Sequence, residues 1–405
     1  MTDFYLARQP IYDKNTHVIG YELLHRSNAT QTAVFKDTAQ ANTQRLISTL
    51  LDMGLHELVG DKLAFINVSR NYLLGESHIP LARKQVVLEV LEDVLPYEGL
   101  LFALRQFKLR NAYRIAFDEF EYDWSKIDMV PMADYIKFNM RTLTRQQIQD
   151  QLHEIENFKG KLIAVNVDDH DTFNFCRALR FDLFQGFYFS HPHLPCKDTQ
   201  TSPRGLQILR LLAELQNPGL TYTKLQALVA RDVTLTYRIL RYINSAKFQL
   251  ARPVESIQQS IALLGLPTIT TWITILVLAR IENKSDELMI LALIRAKMCE
   301  TLAKSGNYDA TAGFTIGLLS TLDALLDKDI SHITADLPLS REVNDALERR
   351  SGPLGLILGM AMAYEKADWD SQFIQSSKQS DQLTTAYFEA IAWAREVRTQ
   401  LLKAV

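Results

Sequence analysis

Up to about residue 190, short runs of apolar and β-branched residues alternate with stretches of helical period. The runs are FYLAR (4–8), VIGYELL (18–24), LAFINVS (63–69), VVLEVL (86–91), YRIAFDEF (113–120), DYIKF (134–138), KLIAVNV (161–167) and FDLFQGFYF (181–189). Strands that alternate with amphipathic helices predict parallel βαβ units, and eight of them predict a closed barrel of the TIM type. The first two runs are joined by DKNTH, which is too short to hold a crossover helix, so that connection is expected to be antiparallel.

The pattern changes after the tract SHPHLPCKDTQTSPR (190–204), which mixes Pro, Ser, Thr and charge without any period and marks a domain boundary. Beyond it strand signals vanish. LQILRLLAEL, TLTYRILRYINS, SIQQSIALLGL, ELMILALIRAKMCETLAKS and FTIGLLSTLDALL follow one another with helical period, broken by Pro218, Pro253, Pro267, Pro338 and Pro353. The fold expected is therefore α/β plus all-α: a barrel domain over 1–195 and a helical bundle over 196–405. No repeat of fixed period and no low-complexity tract is evident.

At 405 residues and 47% hydrophobic content the chain is long enough for two cores, and a formal charge of −3 argues against wholesale nucleic-acid or membrane-surface binding. Cys176, Cys196 and Cys299 form no CxxC pair, which disfavours a disulfide framework or a thiolate zinc site and favours a reducing compartment. MTDFYLARQP lacks the features of a signal peptide, and ITTWITILVLA (269–279) is shorter than the roughly 20 residues a membrane helix needs. That segment reads as a buried helix, as core or as a partner groove, and the expected location is the cytoplasm.

In a barrel, chemistry gathers where the carboxyl ends of the strands converge. Glu22, Asn67, Glu89, Asp118 with Glu119, and Lys137 stand at or near such ends. Carboxylates and an amide oxygen suit Mg²⁺, Mn²⁺ or Ca²⁺, and a lysine beside them suits a phosphate, so the set suggests a metal-assisted phosphate site. Each member has a plainer role open to it: a carboxylate as a helix cap, Asn67 as a turn-former, Lys137 as a snorkelling rim residue.

These residues carry a resemblance. ARQPIYD, YELLHR, FINVS, VVLEVLE, IAFDEF, DYIKFN, IAVNVDD and FQGFYFS resemble, in order, the motifs of EAL domains, the phosphodiesterases and receptors of cyclic di-GMP. The second half, with LQILRLLAEL, VARDVTLTYRILRYINSA and SIQQSIALLGL, resembles the HDOD module, a helical relative of HD phosphohydrolases used in signalling. The resemblance implies that Glu22-Leu23-Leu24 is the EAL triplet, that Gln9, Leu24, Arg26 and Gln185 line the dinucleotide site with Arg26 on a phosphate, and that Glu22, Asn67, Glu89 and Asp118 are metal ligands. Lys137 falls on the conserved lysine near the attacking water, and the implied cofactor is Mg²⁺ or Mn²⁺, with Ca²⁺ inhibitory.

The departures from the family pattern concern catalysis. The paired Asp-Asp and glycine-rich loop become Asp118-Glu119-Phe120-Glu121-Tyr122-Asp123, which puts the second metal in question and leaves Glu119 as a longer stand-in. Lys-x-Asp becomes Lys137-Phe138-Asn139, and Ala-Glu-Gly-Val-Glu becomes Ala164-Val165-Asn166-Val167-Asp168, so a valine stands where the family has its catalytic glutamate. Loss of a positioned general base lowers rate on the order of 10² to 10⁴. The helical half has only His332 beyond residue 199, and Gly317-Leu318-Leu319-Ser320-Thr321 where an HD hydrolase has its His-Asp pair, so no metal chemistry is expected there.

The reading is a bacterial signalling protein whose degenerate EAL domain receives cyclic di-GMP and whose HDOD domain contacts a protein partner, without nucleic acid or membrane and with a homodimer open. Two alternatives stand beside it: a slow phosphodiesterase yielding the linear dinucleotide, with Glu119 and Asp168 filling in, and a nucleotide-independent interaction scaffold.

Overall fold

Eight strands close into a single barrel in sequence order: β1 (Phe4–Asp13), β2 (Val18–Ser27), β3 (Leu63–Val68), β4 (Val86–Val90), β5 (Arg114–Phe117), β6 (Tyr135–Asn139), β7 (Lys161–Val165) and β8 (Leu183–Phe184). The computed structural model describes residues 4–27, 35–75, 79–90, 98–122, 126–190, 203–245, 252–281, 284–375 and 380–403. Most of the boundary tract at 190–204, with Cys196, lies outside them, as does Asp123.

The short connection between β1 and β2 makes an antiparallel hairpin, as its length predicts, while β2 to β8 run parallel. Asp13 shapes the turn by accepting from the N–H groups of Asn15 and His17 at 2.8 and 2.9 Å. Because strand side chains alternate, one parity of each strand fills the barrel. Ile11, Phe65, Val87, Ala116, Tyr135, Ile163, Val165 and Leu183 form that buried interior.

The seam that closes the barrel between β1 and β8 is short. β8 pairs with it only at Tyr12↔Phe184 and Asp13↔Leu183, which leaves the edge from Phe4 onward without a strand neighbour on that side among the described residues. A later part of the chain covers this edge: Met1–Ser190 and Ala363–Thr384 form one compact unit. The Leu6 N–H donates to the hydroxyl of fully buried Tyr364 at 3.3 Å, that hydroxyl reaches Thr384 Oγ1 at 3.0 Å, and Thr384 donates to the Phe4 carbonyl at 3.0 Å. Side chains thus satisfy edge groups that a strand would otherwise pair.

The second unit comprises His191–Met362 and Thr385–Val405, and its described secondary structure is all helical. Its apolar helix Leu266–Leu278 is core, with Ile273, Ile275 and Val277 fully buried, and Trp272 packs against Tyr242 and Trp393. The run FTIGLLSTLDALL divides into the helices Ala310–Leu319 and Leu322–Leu326. The hydroxyls of Ser320 and Thr321 turn back onto the carbonyls of Gly317 and Leu318 at 2.7 and 3.0 Å, in competition with continued helix. Among the described residues no helix is long and apolar enough to cross a membrane.

Candidate functional site

The parity that buries Ile11, Phe65, Val87, Ala116, Tyr135, Ile163 and Leu183 places Gln9, Asn67, Glu89, Asp118, Lys137, Val165 and Gln185 one step nearer the mouth on the same inward face. Glu22 joins them through its pairing with Gln9. An apolar floor therefore carries a charged layer, and Lys137 is its centre. The lysine Nζ lies 2.7 Å from Glu22 Oε2, 2.5 Å from Glu89 Oε1 and 3.8 Å from Asp118 Oδ1, with Lys137 1% and Glu89 0% exposed.

Three carboxylates face one ammonium, and the electrostatics divide accordingly. Burial opposes the charge on Lys137, but Glu22, Glu89 and Asp118 together hold its pKa above the ordinary range. Burial also pushes Glu22 up, yet the charge of Lys137 and hydrogen bonds from Lys137, Gln185 and Asn67 bring its carboxyl below its usual value. Burial holds Glu89 well above the ordinary range; Lys137 offsets part of this, and Glu22 and Asp118 add to it by repulsion. Asp118 is likewise raised, by burial first and then by Glu22 against the pull of Lys137. Glu22 is the carboxyl held most firmly in its charged form, and Glu89 is the one whose ionisation burial opposes most.

Gln185 donates to both Gln9 Oε1 at 2.7 Å and Glu22 Oε2 at 2.8 Å, which ties the two predicted amides to Glu22. Glu119 is turned elsewhere. Its backbone takes φ 45°, a left-handed conformation unfavourable for a non-glycine residue, and its Oε1 accepts from Asn139 Nδ2 at 3.0 Å. Asn139 is a hub that the sequence reading recorded only as a lost charge: its Oδ1 accepts from Asn166 Nδ2 at 2.9 Å and from the Arg141 N–H at 3.0 Å. Asn166 has φ 58°, in agreement with its alignment on a family glycine.

Among the described residues no group of three or more His, Cys, Asp or Glu stands close enough to hold a metal ion, since the carboxylates converge on Lys137. The donor set nevertheless fits one hard divalent cation. Asn67 Oδ1 and Glu89 Oε2 are buried acceptors without a hydrogen-bond partner, which is the deficit a cation would satisfy. Glu119, bonded to Asn139, does not extend that set.

Val165 is 8% exposed and belongs to the apolar interior. Asp168, the acid expected to stand in for a lost group, pairs with Arg141 Nε at 2.8 Å and faces the Phe187 N–H at 3.4 Å. Leu24 and Arg26 continue the inward parity of β2 toward the rim, opposite Ala7 and Tyr5. Arg26 meets a residue that no sequence pattern marked: its Nη1 lies 2.7 Å from Asp370 Oδ1.

In the helical unit the place of the His-Asp pair is built as packing. A Cβ on Gly317 would stand 2.5 Å from Ala296 Cα and from the Arg295 carbonyl oxygen, so only glycine admits this approach of the helices Ala310–Leu319 and Asp286–Ser305. Ser320 Oγ accepts from buried Arg295 Nη1 at 2.9 Å.

The HDOD domain family matches residues 206–329. Over nearly the whole chain, the cyclic di-GMP phosphodiesterase CdgJ of Vibrio cholerae is 28% identical across 402 residues, covering 97% of this chain and 93% of its own. The uncharacterized protein YuxH of Bacillus subtilis is 29% identical across 405 residues, covering 97% and 98%. A solved EAL domain protein of Listeria monocytogenes aligns with 47% of this chain and 88% of its own at 21% identity and a TM-score of 0.36.

Proposed function

For a chain that joins an EAL-type barrel to an HDOD domain, we propose a cyclic di-GMP receptor whose barrel binds without cutting and whose helical unit passes the signal to a protein partner. One observation carries this reading: a buried valine, Val165, stands in the apolar interior where the family has its proton acceptor, beside a charged layer in which Glu22, Glu89 and Asp118 still surround Lys137. With their carboxylates turned from Lys137 toward the ion, Glu22, Glu89 and Asp118 would join Asn67 in holding a single Mg²⁺, Mn²⁺ or Ca²⁺. When bound, the cation supplies positive charge that neutralises a phosphodiester oxygen.

The remaining work belongs to the chain's own groups. Arg26 offers a guanidinium at the rim for a second phosphate oxygen, and Gln9 and Gln185 form a linked amide pair that fixes the orientation of Glu22. Lys137 stays protonated and contributes fixed charge; with its pKa held up by three acids it does not accept a proton. A side chain of valine cannot take a proton from water either, so binding and hydrolysis are uncoupled at this mouth.

Calorimetric titration of cyclic di-GMP into the protein with Mg²⁺ or Ca²⁺ tests the reading. Saturable binding without linear product, lost in Arg26→Ala, is the expected result, and a flat wild-type titration would refute it. A second reading, a slow phosphodiesterase that yields the linear dinucleotide, is favoured by the likeness to CdgJ of Vibrio cholerae, a cyclic di-GMP phosphodiesterase. Turnover with Mn²⁺ that disappears in Glu22→Ala would select it over the receptor.

A further inference from the structure

The segment after the helix Gly352–Glu365 returns to the barrel unit and meets the rim at three points. Trp369 stacks on Tyr5 with ring centroids 5.1 Å apart and planes 18° from parallel. Asp370 pairs with Arg26 at 2.7 Å. Lys366 Nζ sits 4.8 Å from the centre of the Phe187 ring, in the turn that follows β8.

Tyr5 and Arg26 are register partners on β1 and β2, and both have the inward parity shared by Gln9 and Glu22. The neighbours Trp369 and Asp370 thus present an aromatic plane and an anion, side by side, to a tyrosine and an arginine at the mouth. A nucleotide presents the same pair of groups as a base and its phosphate. The attachment has a firm part and a loose part. Tyr364 and Thr384 hold the segment to the β1 edge by buried and part-buried hydrogen bonds, whereas the Arg26 and Asp370 side chains are 41% and 74% exposed.

We infer that Trp369 and Asp370 form an internal ligand mimic, a strap that occupies the base and phosphate positions at Tyr5 and Arg26 and that the cyclic dinucleotide must displace. The inference rests on the receptor reading of the mouth. It assigns Tyr5 as the stacking platform for one guanine, and it makes the position of residues 366–372 the element that reports occupancy. The apparent affinity of the intact chain is then reduced by the fraction of molecules with the strap closed.

The test is a titration of the full chain with cyclic di-GMP and Mg²⁺ in wild type, Asp370→Ala and the double variant Trp369→Ala/Asp370→Ala, with deuterium uptake of residues 366–372 read at each end point. Asp370 is exposed, so its replacement leaves the fold intact. Loss of one exposed ion pair predicts binding roughly threefold tighter, and loss of the aromatic contact as well predicts roughly tenfold. Ligand should raise deuterium uptake of the strap in wild type. Equal affinity in all three proteins with unchanged uptake overturns the strap and leaves the receptor reading standing. Absence of binding in all three overturns both.

Discussion

The barrel mouth and the centre of the helical unit each bury a cation, yet they use it differently. In the barrel, Lys137 is enclosed by Glu22, Glu89 and Asp118, and acceptor atoms on Asn67 and Glu89 remain unsatisfied around it. In the helical unit, Arg295 donates to Ser320 Oγ where a catalytic pair would stand, and Gly317 lets the two helices close on each other. Packing has replaced ligands in the second case. In the first, the polar constellation persists at an energetic disadvantage, since two buried acids and a partly buried third against one base require a proton or a cation to balance them. Persistence of so unfavourable a group points to binding, and replacement by packing points to a scaffold.

The sharpest way to break this contrast is Lys137→Met. Removing one partner from a buried charge cluster destabilises by about 3–5 kcal/mol, measured by chemical denaturation at neutral pH. The pH dependence follows from Glu89, whose folded pKa lies above that of the unfolded chain. The stability linked to that raised pKa is full below the ordinary carboxylate range and is lost as pH rises through the folded value. The variant should therefore recover at low pH, and Mn²⁺ should recover it increasingly as pH rises, because cation and proton compete for the same oxygens. A loss below about 1 kcal/mol, or no response to Mn²⁺, would mean that the mouth is as settled as the helical centre.

Next in size is an attempt to restore chemistry at both places. Val165→Glu should raise cyclic di-GMP turnover on the order of 10²-fold over wild type, the lower end of a general-base contribution because Glu119 remains tied to Asn139. Ser320→His with Thr321→Asp should gain nothing, since among the described residues no group of His, Cys, Asp or Glu there could hold a metal ion. A single-turnover assay with Mn²⁺ reads both. Inert Val165→Glu protein that still binds cyclic di-GMP would show that the barrel has lost more than its base.

Much of this contrast is legible along the chain because it depends on local period and order. Eight runs of β character became eight strands, and polar residues at their ends converged because parity and parallel register leave them no other face. The valine at 165 is legible for the same reason. The role of Asn139 escaped notice because it lies in three hydrogen bonds to the turns that follow β5, β6 and β7, and composition registers only the missing charge. Trp369 and Asp370 escaped because Arg26 and Asp370 are 344 positions apart, within a tract whose period marks only another helix bundle. Local patterning specifies elements, but a segment that returns to cap an unpaired edge is specified by that edge.

The smallest expected effect tests whether the helical centre has truly exchanged chemistry for packing. Ser320 Oγ accepts from Arg295 and donates to the Gly317 carbonyl, so Ser320→Ala removes two hydrogen bonds at a buried point. Arg295 Nη1 also lies 3.5 Å from the Ser320 carbonyl oxygen, which the substitution leaves in place. The guanidinium is therefore not stranded, and the net loss should be about 1 kcal/mol, the ordinary value of a neutral hydrogen-bond exchange. Urea denaturation followed in the far ultraviolet measures it. A loss as large as that of Lys137→Met would mean that Arg295 depends on this one hydroxyl as Lys137 depends on its acids, and the two regions would then differ in residue type and not in kind.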